Sequence, residues 1–115
     1  AITRIFPELR GKITGGSFRV PVSDGSVTEM TIVSKTAVTT EQINAAMKAA
    51  AAGALKGIME YTEDPIVSVG VLGNLHSVVF DAGLTTVFNG LIKVAGWYDN
   101  EAGYSNRLVD VVKRF

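Results

Sequence analysis

The stretch Leu84-Thr85-Thr86-Val87-Phe88-Asn89-Gly90-Leu91-Ile92-Lys93-Val94-Ala95-Gly96-Trp97-Tyr98 sets the architecture. Two runs rich in β-branched and aromatic residues flank Asn-Gly, the dipeptide that accepts left-handed backbone at both positions of a two-residue hairpin loop. Antiparallel strands at Leu84–Phe88 and Leu91–Tyr98 follow. Directly after them, Asp99 or Asn100 offers a cap for a closing helix from about Glu101 to Lys113. That helix carries Tyr104, Leu108, Val111, Val112 and Phe115 on one stripe, and Asp110 and Arg114 at i, i+4 spacing. A hairpin feeding an amphipathic helix points to an α+β layer structure.

Working outward, Thr40 to Ala52 reads as a helix, with Thr39 and Gln42 at capping-box spacing, Gly53 as the stop, and Ile43, Met47, Ala50 and Ala54 as its buried stripe. Its alanines favour helix and permit close approach to a sheet. Further strands are predicted at Ser17 to Val22, Ser26 to Ser34, Ile66 to Val71 and Ser77 to Asp81, with Ser23-Asp24-Gly25 closing a first hairpin. The first residues, Ala1 to Phe6, read as a helix ended by Pro7. The fold class expected is therefore α+β, a mixed, mostly antiparallel sheet with helices on one face. In Val67, Val69 and Val71 against Ser68, Gly70 and Leu72, neither alternate set is properly polar. The second sheet face is therefore expected to meet a partner.

Composition narrows the chemistry. The 115 residues balance 11 Lys+Arg against 11 Asp+Glu and include one His and no Cys. Balanced charge speaks against a polyanion footprint, so neither nucleic acid nor an anionic membrane is an expected partner. Without Cys there is no thiol nucleophile, and a lone His cannot build a multi-His metal centre, so no metal ligands are expected. The length suits a single domain over residues 1–115 that needs no disulfide. Mean hydropathy is +0.27 with only 8% aromatic residues, which suggests either an apolar face or simply an alanine-rich helix.

Few residues stand out as chemistry. Arg19 sits in the apolar run Ser17-Phe18-Arg19-Val20-Pro21, where a guanidinium either finds an anion or faces water. Trp97-Tyr98-Asp99-Asn100-Glu101 places amide and carboxylate groups where a strand meets a helix N-terminus, which suits capping and ligand contact alike. His76 lacks a spaced carboxylate and oxyanion hole and reads as structural. Glu60, Glu63 and Asp64 read as a solvated turn.

The run Trp97-Tyr98-Asp99-Asn100-Glu101-Ala102-Gly103-Tyr104-Ser105-Asn106-Arg107 resembles a signature of the glyceraldehyde-3-phosphate dehydrogenase family. Phe18-Arg19-Val20-Pro21-Val22, Asn44-Ala45-Ala46-Met47-Lys48-Ala49-Ala50, Leu55-Lys56-Gly57-Ile58 and Tyr61-Thr62-Glu63-Asp64-Pro65-Ile66 agree in order. The resemblance covers the chain end to end and corresponds to the latter part of the catalytic domain. It implies a truncated C-terminal catalytic domain of a cytoplasmic, glycolytic, NAD-dependent oxidoreductase. In that family Arg19 matches the arginine on substrate or inorganic phosphate, Asn100 the asparagine on the nicotinamide carboxamide of NAD, and Tyr104 an aromatic beside that pocket. His76 matches a non-catalytic histidine.

The family's nucleophilic Cys, catalytic His and dinucleotide-binding domain have no counterpart in these residues. The resemblance therefore implies no catalytic residue here, NAD as the parent cofactor, none expected for the isolated chain, and no activity alone. Partners implied are a homo-oligomer or an N-terminal domain on the sheet face. Three departures from the family pattern stand out: Ala102 where a bulky residue is usual, Val69-Gly70 where Ser-Asp is usual, and a loop shortened to Asn89-Gly90. They suggest a second reading, a non-catalytic, engineered and self-associating scaffold with the same fold. An erythrose-4-phosphate dehydrogenase relative is a third, since that sister family shares Asp99-Asn100-Glu101.

Overall fold

A computed structural model of the chain describes residues 2–115. It contains strands β1 (Ser26–Val33), β2 (Met59–Thr62), β3 (Val78–Phe88) and β4 (Leu91–Tyr98), and helices α1 (Ile2–Ile5), α2 (Thr40–Ala52) and α3 (Ala102–Val112). Two 3-10 turns lie at Pro7–Leu9 and Ser68–Val71. The sheet runs β1-β4-β3-β2, with β4 antiparallel to both neighbours and β2 parallel to β3. This is the mixed, mostly antiparallel α+β sheet expected.

The hairpin forms as its dipeptide dictates. Asn89 (φ 48°) and Gly90 (φ 79°) both take left-handed backbone, and Phe88 pairs with Leu91. Farther down the hairpin the register breaks: Asp81 opposes Ala95 and Thr86 opposes Lys93, so five steps along β3 match two along β4. The Asp81 side chain organises this bulge, accepting from Gly83 N at 3.0 Å and Trp97 Nε1 at 2.9 Å. Two strands expected at Ser77–Asp81 and Leu84–Phe88 are thus one bulged strand.

Helix α2 has its capping box complete, with Gln42 N donating to Thr39 Oγ1 at 3.2 Å and Thr39 N to Gln42 Oε1 at 2.9 Å. It lies over β2 and β3. There Ile43, Met47, Ala50 and Ala51 pack on Met59, Phe80, Ala82 and Val94. Ala54, placed on the buried stripe by spacing, is exposed beyond the helix end, and Ala51 takes its role. At the C-terminal end of β2, Lys48 Nζ binds Glu63 Oε1 at 3.1 Å and lies over the Tyr61 ring, which stacks on Phe80.

Three expectations fail for physical reasons. Ser17 to Val22 is not a strand, and the hairpin at Ser23-Asp24-Gly25 does not form. Pro21 has no N–H to donate, Phe18 is fully exposed with no layer to cover it, and β1 takes β4 as its partner. Gly25 (φ 89°) serves close approach instead: a Cβ there would lie 2.6 Å from Ser68 O.

Ile66 to Val71 is likewise not a strand. Pro65 precedes it, Gly70 interrupts it, and Gly70 N donates to Val67 O at 2.8 Å in the Ser68–Val71 turn. That turn packs against β4 and buries Val71. On the face away from α2, Val79, Asp81 and Ala95 are buried as well, so part of the face assigned to a partner is covered by the chain itself.

Finally, the apolar stripe of α3 turns outward: Tyr104 is 66% exposed, and Leu108, Val111, Val112 and Phe115 are exposed too. The inner side uses polar groups. Asn106 Nδ2 donates to Leu75 O at 3.2 Å, Arg107 Nη1 to Gly57 O at 2.9 Å, and Arg107 pairs with Asp110 rather than Asp110 with Arg114.

Candidate functional site

The junction of β4 and α3 gathers the most purposeful hydrogen bonding in the molecule. Asp99 is buried at 6% exposure, and its carboxylate accepts three backbone N–H groups, Gly73, Glu101 and Ala102, each at 2.8 Å. These bonds from Ala102, Gly73 and Glu101 hold its pKa below the ordinary aspartate value. The N-cap position of α3 is Glu101, whose own side chain makes no cap bond; Asp99, not Asn100, accepts the N–H groups at the helix start, and it fastens the loop at Gly73 there.

That division of labour leaves the Asn100 amide for something else. It is exposed; Nδ2 donates to Asp24 Oδ1 at 2.9 Å, and Oδ1 accepts a short bond from Ser26 Oγ. Asp24 Oδ1 also accepts from Gly25 N at 2.7 Å, which fixes the carboxylate. An amide has two donor hydrogens and two acceptor lone pairs. One hydrogen and one lone pair of Asn100 thus stay unused, the complementary set that a primary carboxamide needs. Asp24 and Ser26 escaped sequence reasoning because Asp24-Gly25 reads as a hairpin turn; the signal was a polar pair beside a glycine that no strand pairing needed.

Arg19 is exposed in the irregular segment before β1 and has no hydrogen bond or ion pair among the described residues. Its guanidinium is free for an anion, and no bond joins it to Asn100. Tyr104 is exposed in the first turn of α3. The residues predicted for substrate and cofactor are therefore individually accessible but not assembled into a closed pocket. An open concavity of about 350 Å³ lies elsewhere, beside α2, lined among others by Lys48, Glu60, Tyr61 and His76.

His76 is absorbed in a network. Its Nδ1 lies 3.1 Å from Glu60 Oε2 and 2.9 Å from Asn74 Oδ1, while Asn74 Nδ2 donates to the same Glu60 oxygen at 2.8 Å. The network ties the Gly73–Ser77 approach to β3 onto β2. No helix of the described residues is long and apolar enough to cross a membrane.

A mixed sheet flanked by helices, with an Asp-Asn pair at its strand-to-helix junction, defines an α+β domain. The family model "Glyceraldehyde 3-phosphate dehydrogenase, C-terminal domain" matches residues 1–100, and the chain belongs to that family. It is 52% identical over 112 residues to glyceraldehyde-3-phosphate dehydrogenase of Mycobacterium tuberculosis, covering 97% of this chain and 33% of that protein. With the enzyme of Mycolicibacterium smegmatis the identity is 53% over the same shares, and with glyceraldehyde-3-phosphate dehydrogenase 1 of Streptomyces avermitilis it is 50% over 96% and 33%. The chain spans about a third of the length of the curated relatives it matches.

Proposed function

We propose that this chain is a segment of a cytoplasmic, NAD-dependent, phosphorylating glyceraldehyde-3-phosphate dehydrogenase. It supplies Arg19 to the substrate or inorganic phosphate and Asn100 to the nicotinamide carboxamide, with Tyr104 beside that ring. Bound NAD accepts a hydride; what these residues contribute is binding and orientation. The observation that carries the reading is the Asn100 amide, clamped by Asp24 and Ser26 with one donor and one acceptor left over. Preset orientation of this kind keeps the entropy cost of ligand binding low. By itself the 115-residue chain lacks a thiol nucleophile and turns nothing over.

Three measurements test this. The purified chain, given glyceraldehyde 3-phosphate, NAD and phosphate, produces no NADH absorbance; turnover would refute the inactivity. Phosphate titration followed by NMR moves the resonances around Arg19 with a Kd on the order of millimolar, and Arg19→Ala abolishes the shift. A response that survives Arg19→Ala removes that residue from the site. At the matching position of a full-length relative, Asn100→Ala raises KM for NAD by roughly tenfold, the size expected for one or two hydrogen bonds.

A further inference from the structure

The segment 68–77 touches both sides of the Asn100 clamp. At its start, Ser68 O lies so close to Gly25 that a Cβ there would be 2.6 Å away, so Ser68 limits where Asp24 and Ser26, on either side of Gly25, can stand. Farther along, Gly73 N donates at 2.8 Å to Oδ2 of Asp99, the residue before Asn100. Asn74 N joins the two parts by donating to Val71 O at 3.0 Å. The Asn100 amide and the two groups that grip it are thus held against the same ten residues.

Apolar packing secures only the first part of the segment. Val71 is buried, whereas Leu72 and Leu75 are exposed. The second part is held by polar contacts instead. Leu75 O accepts from Asn106 Nδ2 at 3.2 Å, His76 O rests against Gly103, and Glu60 of β2 supplies the remaining anchor. Asn74 Oδ1 accepts from His76 N at 2.9 Å. The other end of that amide is therefore its NH2 group, and it donates to Glu60 Oε2 at 2.8 Å. His76 Nδ1 lies 2.9 Å from Asn74 Oδ1 and 3.1 Å from Glu60 Oε2. Between two acceptors, Nδ1 is the ring nitrogen that carries the proton. Each partner in the anchor has a fixed polarity, with Glu60 accepting throughout.

We propose that Glu60, Asn74 and His76 are positioning residues for the Asn100 amide. They anchor the segment 68–77, and through it the Gly73–Asp99 bond on one side and the Ser68–Gly25 contact on the other keep the amide in one orientation. None of the three is hydrogen-bonded to Asn100. Their effect travels through Asn74 to Gly73 and across one hydrogen bond to Asp99. A misplacement of about 1 Å at a binding group is costly even when its cause lies far away. What the amide meets rests on the reading of Asn100 as the nicotinamide contact; the anchoring does not.

The test is nuclear magnetic resonance of the Asn100 side-chain NH2 group in the full chain. In the wild type, the hydrogen bonded to Asp24 is expected to exchange with water more slowly than its free twin. Asn74→Asp keeps the shape and the acceptor for His76 N but turns a carboxylate oxygen toward Glu60. It is expected to speed exchange of the Asp24-bonded hydrogen several-fold and to leave the core amides of Phe80 and Val94 unchanged. Adding Glu60→Gln reverses the polarity of the pair, with an NH2 group now facing the carboxylate, and restores slow exchange; a general loosening of the fold would not be repaired this way. Lys48→Ala breaks the neighbouring Lys48–Glu63 pair without touching the segment, and Asn100 is expected to be indifferent to it. Should Asn74→Asp fail to fold by circular dichroism, His76→Ala decides, with the same expected sign, because it leaves the Asn74–Glu60 bond in place. Exchange at Asn100 that ignores these variants overturns the anchoring, as does a change that Glu60→Gln fails to reverse. The KM for NAD of an Asn100→Ala enzyme judges the nicotinamide contact separately, so either reading can fail while the other stands.

Discussion

Asp99 shows how one carboxylate can tie a fold together and leave its neighbour free for ligand. Its two oxygens take Gly73, Glu101 and Ala102, and these donors lower its pKa. A carboxylate titrating lower in the folded than in the unfolded state contributes stability that is present above the ordinary aspartate pKa of about 3.9 and is lost as pH falls through the folded value. Asp99→Asn, which turns an NH2 group toward one of these donors, is expected to lower Tm by several degrees at pH 7. The gap to wild type should begin to narrow below about pH 4 and close only once the pH falls below the lowered folded value; a gap that persists in stronger acid would place the effect in packing instead. Four residues on, Gly103 is legible only in three dimensions. A Cβ there would sit 2.5 Å from His76 O, a backbone atom that cannot swing aside, so Gly103→Ala is expected to cost about 2–3 kcal/mol in urea unfolding despite alanine's better helix propensity. Of the site, Asn100 was readable because a helix start needs one cap and the sequence offers two candidates. Asp24 and Ser26 were not, since their role depends on a contact spanning more than seventy residues.

Elements with local signals formed where the sequence places them. The capping box at Thr39 and Gln42 and the left-handed Asn89-Gly90 turn depend on neighbours within four residues, so they need no knowledge of the rest of the chain. Strands were harder. Ser17 to Val22 and Ile66 to Val71 have alternating or apolar composition, but a strand exists only if something pairs with it. In the first, Pro21 and a missing cover layer forbid that; in the second, Pro65 and Gly70 do. The α3 stripe misleads in the opposite sense: its periodicity is real, but amphipathicity says which side is apolar and not which side faces the body. Because the α2 signal is local, its energetics are expected to be local too. Thr39→Ala should cost about 1 kcal/mol, the usual loss for an N-cap hydroxyl. Gln42→Ala in that background should then add less than it costs alone, since the two side chains act as one reciprocal cap. A double-mutant cycle by thermal unfolding measures this, and full additivity would show that the box acts as two separate bonds.

At the scale of the molecule, surface is the dominant fact. The chain exposes 8663 Å², whereas a compact monomer of its mass exposes about 6,100 Å². Its radius of gyration of 15.1 Å exceeds the roughly 13.4 Å expected for its length. The excess resides in the irregular segment before β1, in β1 itself and in the outward stripe of α3. Its core is correspondingly small, centred on Met59, Phe80, Ala82 and Val94. Denaturant sensitivity scales with the surface exposed on unfolding, and an unfolded chain of this mass exposes about 17,700 Å². The folded chain therefore buries roughly 9,000 Å², where a compact protein would bury about 11,600 Å². A urea m-value about a fifth below that of an average 115-residue domain is expected from this difference. An m-value at the average for its length would mean that the segment before β1 and the α3 stripe fold back onto the sheet in solution.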